Sequence, residues 1–263
     1  LKDPTRLNIL SSPDETKKRA SLILNRMFKL TFISKVEFNL ADSKLEKLLI
    51  NKSFTNESRY FTDWVLRRTS KNYNNVSDII IKTTLDPIIQ SEVEKAVSLI
   101  LKERKDIEAA VIVLDTTGAV KGMLGGRSFY KSQFNRATQS LRQPGSVFKL
   151  FTYLAALELG MNAYDNIEDM PLELDGWTPK NYNNKYKGLI SLKEAFSISS
   201  NVAAIRLQEI TGRDNVIKWA KKLGVSSNLK PERSLSLGTQ SISLIEMTNA
   251  YAAIASGGII PFI

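Results

Sequence analysis

The chain of 263 residues contains no histidine and no cysteine. Those two zeros remove, within it, the Ser-His-Asp triad, the cysteine nucleophile, the Cys/His zinc site and thiol redox chemistry. Nucleophilic catalysis here has to use Ser or Thr, with Lys or a carboxylate as base. A G-x-x-x-x-G-K-[ST] loop and a G-x-G-x-x-G fingerprint are also missing, so nucleotide chemistry has no support. No stretch reaches the ~18 uninterrupted apolar residues of a membrane span, and no signal peptide opens the chain. Acidic residues are the minority charge, 27 Asp+Glu against 37 Lys+Arg, for a formal net charge of +10. Such a surplus suits a polyanionic partner. The basic residues, however, cluster only as pairs (Lys17-Lys18, Arg67-Arg68, Lys221-Lys222) and aromatics do not interleave with them. A base-stacking platform requires that interleaving, so we read a generally basic surface and no nucleic-acid partner.

What is present is enough for a substantial core: 43% of the residues are hydrophobic, which allows one large domain or two small ones. The chain opens on Leu1, and residues 259–263 (IIPFI) read as the start of an element. We expect a piece of a longer polypeptide, with any membrane segment upstream. Residues 14–30 place apolar side chains at helical spacing with Asp14 and Glu15 in the first turn, a helix. Shorter helices are expected over 35–41 and 43–50. From 51 to 77 the composition turns polar and Asn-rich around an aromatic segment, Tyr60 to Val65, which predicts a linker or surface insertion and a domain boundary. The β-branched run at 79–85 reads as a strand, followed by a helix from Pro87 to about residue 105. Two apolar runs, 109–114 and 119–124, joined by Asp115-Thr116-Thr117-Gly118, predict a hairpin. A helix that is apolar almost all round runs from Ser146 to Gly160 and should be central and buried. After a loop over 165–187, short helices are expected at 189–196 and 201–210, separated by Ser197-Ile198-Ser199-Ser200, and further helices at 214–223 and 244–256.

At the start of the apolar helix stands Gln143-Pro144-Gly145-Ser146-Val147-Phe148-Lys149. Residues i and i+3 of a helix share a face, so Ser146 and Lys149 can meet as a nucleophile and its base. The S-x-x-K pattern is weak alone and occurs three times, at Ser128/Lys131, Ser146/Lys149 and Ser227/Lys230. Context separates them, because only Ser146 opens an apolar helix, whose first-turn amides and dipole favour a developing oxyanion. Lys149 must be neutral to accept a proton. Lowering a lysine pKa by ~3 units takes about 4 kcal/mol, which burial can supply. S-x-N is equally weak, matching Ser199/Asn201, Ser226/Asn228 and Ser70/Asn72. Ser199-Ser200-Asn201 reads either as a helix-capping cluster or as polar groups presented to a neighbouring site, and the two readings are compatible.

S-x-x-K followed by S-x-N is part of the signature of penicillin-binding proteins. The match extends through Thr83-Thr84-Leu85-Asp86, Phe134 to Thr138, Arg142 to Ser146, Trp177 to Tyr182, Ser199-Ser200-Asn201, Leu237-Gly238-Thr239 and Ala250 to Gly258, in that order. The chain therefore resembles the transpeptidase domain of bifunctional, class A penicillin-binding proteins. The resemblance implies an α/β (α+β) fold in which helices cover an antiparallel sheet, as in serine β-lactamases. It also implies three divisions: the helical tail of a glycosyltransferase domain over 1–45, a linker region over 46–78, and the N-terminal part of a transpeptidase domain over 79–263. Carried over by position, Ser146 is the acylated nucleophile and Lys149 its base. Ser199 relays a proton to the leaving group, and Asn201 hydrogen-bonds Lys149 and the substrate amide. No K-T-G triplet, which the family uses for carboxylate recognition and an oxyanion donor, occurs in these residues. We expect it past residue 263 and expect the fragment to be inactive alone. The implied parent is a membrane-tethered, extracytoplasmic (periplasmic) DD-transpeptidase. It would use no cofactor, act on peptidoglycan stem peptides and be acylated by β-lactams. A penicillin-recognising sensor or a DD-carboxypeptidase is the alternative.

Overall fold

In a computed structural model of the chain, residues 12–46, 58–69 and 79–259 are described. Helices α1 (Pro13–Lys29) and α2 (Lys35–Glu46) pack on one another. Asp14 and Glu15 in the first turn of α1, and Arg26 and Lys29 in its last, complement the helix dipole. The periodicity predicts two helices over 35–50, yet α2 is continuous to Glu46. The Ser43 hydroxyl bonds back to the Leu40 carbonyl at 3.0 Å, so the polar Asp42-Ser43 pair does not interrupt it. Residues 47–50 lie outside the described residues.

The segment expected to be a linker or surface insertion contains a helix, α3 (Arg59–Thr69), with Tyr60 and Phe61 buried. Phe61 packs with Val120, Met123 and Ala137, and Trp64 and Val65 lie against the same cluster. Spacings of one, four and five residues put these side chains on one helical face. Polar flanks, which lie outside the described residues, mask that periodicity. Strands β1 (Val111–Leu114) and β2 (Val120–Leu124) form the expected antiparallel hairpin. Its turn is closed by the Asp115 carboxylate, which accepts from the Thr117 and Ala119 amides. Helix α4 (Pro87–Ile100) lies on β2, its N-terminus capped by Asp86.

The expected strand over 79–85 is extended backbone that belongs to no ladder among the described residues. It meets β2 through the Thr84 hydroxyl on the Val120 carbonyl at 2.8 Å, and the Asp86 amide bonds the Lys121 carbonyl at 3.0 Å. β-branched composition favours extended backbone but does not supply a partner.

Downstream, β3 (Leu141–Arg142) pairs with β6 (Ile242–Ser243), and β4 (Asn166–Asp169) pairs with β5 (Gly188–Ser191), all antiparallel. The β4–β5 ladder corrects two expectations. Part of the loop over 165–187 is a strand. The helix expected from 189 begins only at α6 (Leu192–Ser197), after the Ser191 side chain caps its first turn. Ile167 opposite Ile190 supplies the apolar pair. A partner more than 20 residues away is invisible to a local pattern.

Helix α5 (Lys149–Glu158) is the middle of the molecule. On one side Phe151 and Ala155, with Phe148 ahead of them, join Val216, Ile217 and Ala220 of α8 (Arg213–Lys222) and Met247, Ala250 and Ala253 of α9 (Leu244–Ala255). On the other, Tyr153 and Ala156 meet Ile167, Ile190, α6 and Ala203, Ala204 and Leu207 of α7 (Asn201–Thr211). A helix shared by two cores has no polar face to keep, which accounts for its composition. The result is the mixed helical and small-antiparallel-sheet architecture expected of the α/β (α+β) class. Among the described residues no helix is long and apolar enough to cross a membrane.

One carboxylate ties the far side of this core. Glu246 of α9 accepts the amides and hydroxyls of Ser226, Ser227 and Ser243 in six hydrogen bonds of 2.7–3.0 Å. Burial opposes its charge, but these donors outweigh burial and hold it at about 2. A depressed carboxyl contributes stability that is complete above the unfolded value near 4.5 and is lost as pH falls toward 2. Glu246→Gln, which can accept far fewer of these bonds, is expected to lower the unfolding free energy at neutral pH by about 2 kcal/mol. It should also flatten the acid limb of stability, as denaturant melts at pH 7 and pH 3 would measure.

Candidate active site

Lys149 is 1% exposed, although it carries an amine. The sequence prepares this burial: the helix it opens continues into two cores, so the first turn is drawn under α6 and α7. Its Nζ donates to the Ser199 carbonyl at 2.6 Å, the Asn201 Oδ1 at 2.7 Å and the Ser199 Oγ at 3.1 Å. An ammonium has three protons, and all three are placed. Burial lowers its pKa from the ordinary lysine value of 10.5 to about 8, a differential cost of about 3 kcal/mol. At pH 7 about a tenth of the molecules then hold a neutral amine.

Ser199 and Asn201 reach Lys149 because the helix breaks between α6 and α7. Ser199 adopts φ +55, the left-handed region that costs a non-glycine residue about 1 kcal/mol. That twist turns its carbonyl and hydroxyl together toward Nζ. Ser200 caps α7, its Oγ accepting the Ala203 amide at 3.0 Å. The capping reading and the site reading of Ser199-Ser200-Asn201 thus hold at once, on different side chains.

Ser146 lies one turn before Lys149, in a 3-10 turn over Gly145–Phe148 that precedes α5. The helix therefore starts three residues later than the spacing predicts. Ser146 is exposed, and among the described residues its hydroxyl forms no hydrogen bond, with Lys149 or any other group. Its turn is held from two sides. The Gly145 amide donates to the Gly238 carbonyl at 3.1 Å, and the Tyr251 hydroxyl of α9 donates to the Val147 carbonyl at 2.9 Å. Gly145 at φ +60 and Gly238 at φ +66 are both left-handed, and a Cβ on Gly238 would overlap the Gly145 carbonyl oxygen.

Of the four residues singled out from sequence, Lys149, Ser199 and Asn201 are joined by side-chain hydrogen bonds, and Ser146 lies one turn before Lys149 with its hydroxyl unbonded among the described residues. Of the other S-x-x-K serines, Ser227 Oγ donates to Glu246, and Ser128 lies in a turn in which its carbonyl accepts the Lys131 amide. Gly238 and Tyr251 fall in segments that carried the family resemblance, but no local pattern marks what they hold. Among the described residues no group of three or more His, Cys, Asp and Glu is placed to hold a metal ion.

The family model described as the penicillin binding protein transpeptidase domain matches residues 108–261, more than half of the chain. Penicillin-binding protein 1A of Rickettsia conorii is 32% identical over 230 residues, covering 85% of this chain and 28% of that protein. Penicillin-binding protein 2D of Bacillus subtilis is 30% identical over 273 aligned positions, covering 98% of this chain and 40% of that protein. The chain thus spans well under half the length of these relatives. Among solved structures, PonA1 of Mycobacterium tuberculosis in complex with penicillin V is similar at a TM-score of 0.69 and 28% identity. That likeness covers 78% of this chain and 59% of that one.

Proposed function

Because the chain belongs to the penicillin-binding protein transpeptidase family, we propose that it carries the nucleophile half of a peptidoglycan DD-transpeptidase site, with Ser146 acylated and Lys149 its base. The observation that carries this reading is the Lys149 amine, buried, held by Ser199 and Asn201, and one turn from an exposed, unbonded serine hydroxyl. A lysine with pKa about 8 is close enough to neutrality to accept a hydroxyl proton. In the proposed sequence, the neutral amine takes the Ser146 proton as Oγ attacks the penultimate D-Ala carbonyl of a stem peptide. Ser199 Oγ, 3.1 Å from Nζ, passes a proton to the departing D-Ala amine. Asn201 holds Lys149 through Oδ1 and faces the substrate amide. An amine of a second stem peptide then displaces Ser146, forming the crosslink and returning the proton along the same groups. A β-lactam ring opens on the same hydroxyl.

In the same reading, residues 1–45 are the tail of a glycosyltransferase domain, 46–78 connect it, and 79–263 begin the transpeptidase domain of a bifunctional parent. The polymer it would act on lies outside the cytoplasmic membrane, so the site is assigned to the extracytoplasmic face of a membrane-anchored protein. The carboxylate-binding K-T-G motif would come from the rest of that domain.

Incubation of the full-length protein with penicillin, followed by peptide mass spectrometry, is expected to show one adduct, on the peptide containing Ser146, and none in Ser146→Ala. Below pH 8 the acylation rate should rise about tenfold per pH unit and flatten above it, following the neutral amine. An adduct on another residue, or none, would overturn the reading.

A further inference from the structure

Asn201 can serve Lys149 only with its amide turned one way, Oδ1 toward the ammonium; turned over, it would set two N–H donors against three. The structure shows what holds that orientation. Asn201 Nδ2 donates to the Lys180 carbonyl at 3.0 Å, a group that only accepts, which leaves Oδ1 for Lys149 at 2.7 Å. Residues 180 and 181 are in turn fixed through the neighbouring side chain. Asn181 Oδ1 accepts the backbone amides of Asn201 at 2.9 Å and Val202 at 3.2 Å, two groups that only donate. Its Nδ2 donates to Asp169 Oδ1 at 2.7 Å and to the Lys185 carbonyl at 3.0 Å. The Asn181 amide is thus also fixed in direction, acceptors on one end and donors on the other.

The chain of amides ends on Asp169, the last residue of β4, which is 1% exposed. Its carboxylate accepts Asn181 Nδ2 and the Ser200 hydroxyl on Oδ1, both at 2.7 Å, and the Lys187 amide on Oδ2 at 3.0 Å. All three donors are uncharged. The Tyr153 phenol of α5 is pushed well above its ordinary range by burial and then by the Asp169 charge, so that charge stands close behind the helix that carries Lys149.

Taking these contacts together, we propose that Asp169 and Asn181 are positioning residues: an acceptor-only carboxylate under the β4–β5 hairpin sets the direction of the Asn181 amide, and through Lys180 the direction of Asn201 at the Lys149 amine. Neither touches a reacting atom. The inference rests on the reading of Lys149 as the base of Ser146, and it assigns the β4–β5 pair a purpose beyond its packing against α5, α6 and α7. It also explains why a carboxylate is buried with neutral donors: a neutral amide there could turn over, and the order of donors and acceptors would no longer be defined.

The test is the pH profile of acylation of the full-length protein by a fluorescent penicillin, with thermal melting measured alongside. Asn181 is only part-buried, so Asn181→Ala should fold. Its acylation is expected to fall about tenfold at high pH, with the limb near pH 8 moving down by about half a unit or more, because an ammonium that loses one of three acceptors releases its proton more readily. Asp169→Asn, the isosteric change, should move the limb the same way. A role in stability alone would lower the melting temperature and the labelled fraction while leaving the limb in place, and a limb unmoved in both variants overturns the proposal. If the unmodified protein is labelled on Ser146 and only the limb fails to shift, this inference falls and the proposed function stands. If the unmodified protein is not labelled on Ser146, both fall.

Discussion

Lys149→Met in the full-length protein is expected to slow β-lactam acylation of Ser146 by 10²–10⁴-fold, the usual worth of a positioned base, while the protein still melts cooperatively within a few degrees of the unmodified one. The loss is large because these residues offer no histidine as a substitute base, and the hydroxyl of Ser146 has no hydrogen-bond partner among the described residues. The change in stability is small because two effects oppose each other. Methionine removes a buried ammonium whose charge costs about 3 kcal/mol. It also strips a donor from the Ser199 carbonyl, the Ser199 hydroxyl and Asn201, at about 1 kcal/mol or more for each group that water does not reach.

The pH dependence of stability separates the unmodified protein from this variant. Lys149 is lowered to about 8 when folded and returns to about 10.5 when unfolded. Between those values the unfolded chain binds the extra proton, so stability rises with pH across that window, by about 3 kcal/mol at most, and is level outside it. Denaturant melts at pH 7.5 and 10.5 should show this increment in the unmodified protein and not in Lys149→Met. The difference between the two proteins cancels the other groups that titrate there. An equal rise in both would mean that the amine is not buried.

Gly238→Ala is expected to meet the closest backbone overlap of any described glycine. Alanine at φ +66 costs about 1 kcal/mol in backbone strain. Its Cβ would further overlap the carbonyl oxygen of Gly145, with the Gly145 nitrogen and carbonyl carbon also too close. The backbone cannot retreat from the contact. A 3-10 turn, Leu235–Leu237, leads into Gly238 and is anchored by a buried set of bonds. The Thr152 hydroxyl donates to Ser236 Oγ at 3.0 Å, and Ser236 N and Oγ donate to Gln208 Oε1 at 2.7 and 2.6 Å. The turn that yields is therefore the one carrying Ser146. A displacement of about 1 Å there predicts an acylation rate about 100-fold lower, with about 3 kcal/mol lost from the unfolding free energy. Gly145→Ala is the matched comparison. It has the same sign of φ but nothing within 4 Å of the added methyl, so it should cost only about 1 kcal/mol of strain. Equal effects of the two substitutions would remove the argument from close approach.

Several pieces of this molecule were legible as sequence because their physics is local. The α4 start needs only Asp86 and Pro87 in order, and the β1–β2 hairpin needs two apolar runs and a turn closed by Asp115 and Gly118. The all-round apolarity of 150–157 announces a helix with cores on both sides. The absence of histidine and cysteine narrowed the chemistry before any fold was known, and the i, i+3 spacing placed Ser146 and Lys149 on one face. The order of the flanking motifs then identified the family.

Everything that depends on a distant partner was settled only in three dimensions. Residues 79–85 have the composition of a strand but join no ladder among the described residues, and 166–169 have the composition of a loop but find β5 about 20 residues on. The polar surroundings of Tyr60 and Phe61 hide a helix whose two aromatic side chains are buried, with β2 packed against it. The same division runs through the site. Spacing brings a serine near a lysine, but the lysine's pKa comes from its burial under α6 and α7 and its orientation from Ser199 and Asn201, some 50 residues downstream. Asn181 and Gly238 lay in segments that carried the family resemblance and Asp169 did not, but no letter marked what any of them holds, since hydrogen-bond polarity and close backbone approach are relations between segments, and a sequence records only one segment at a time.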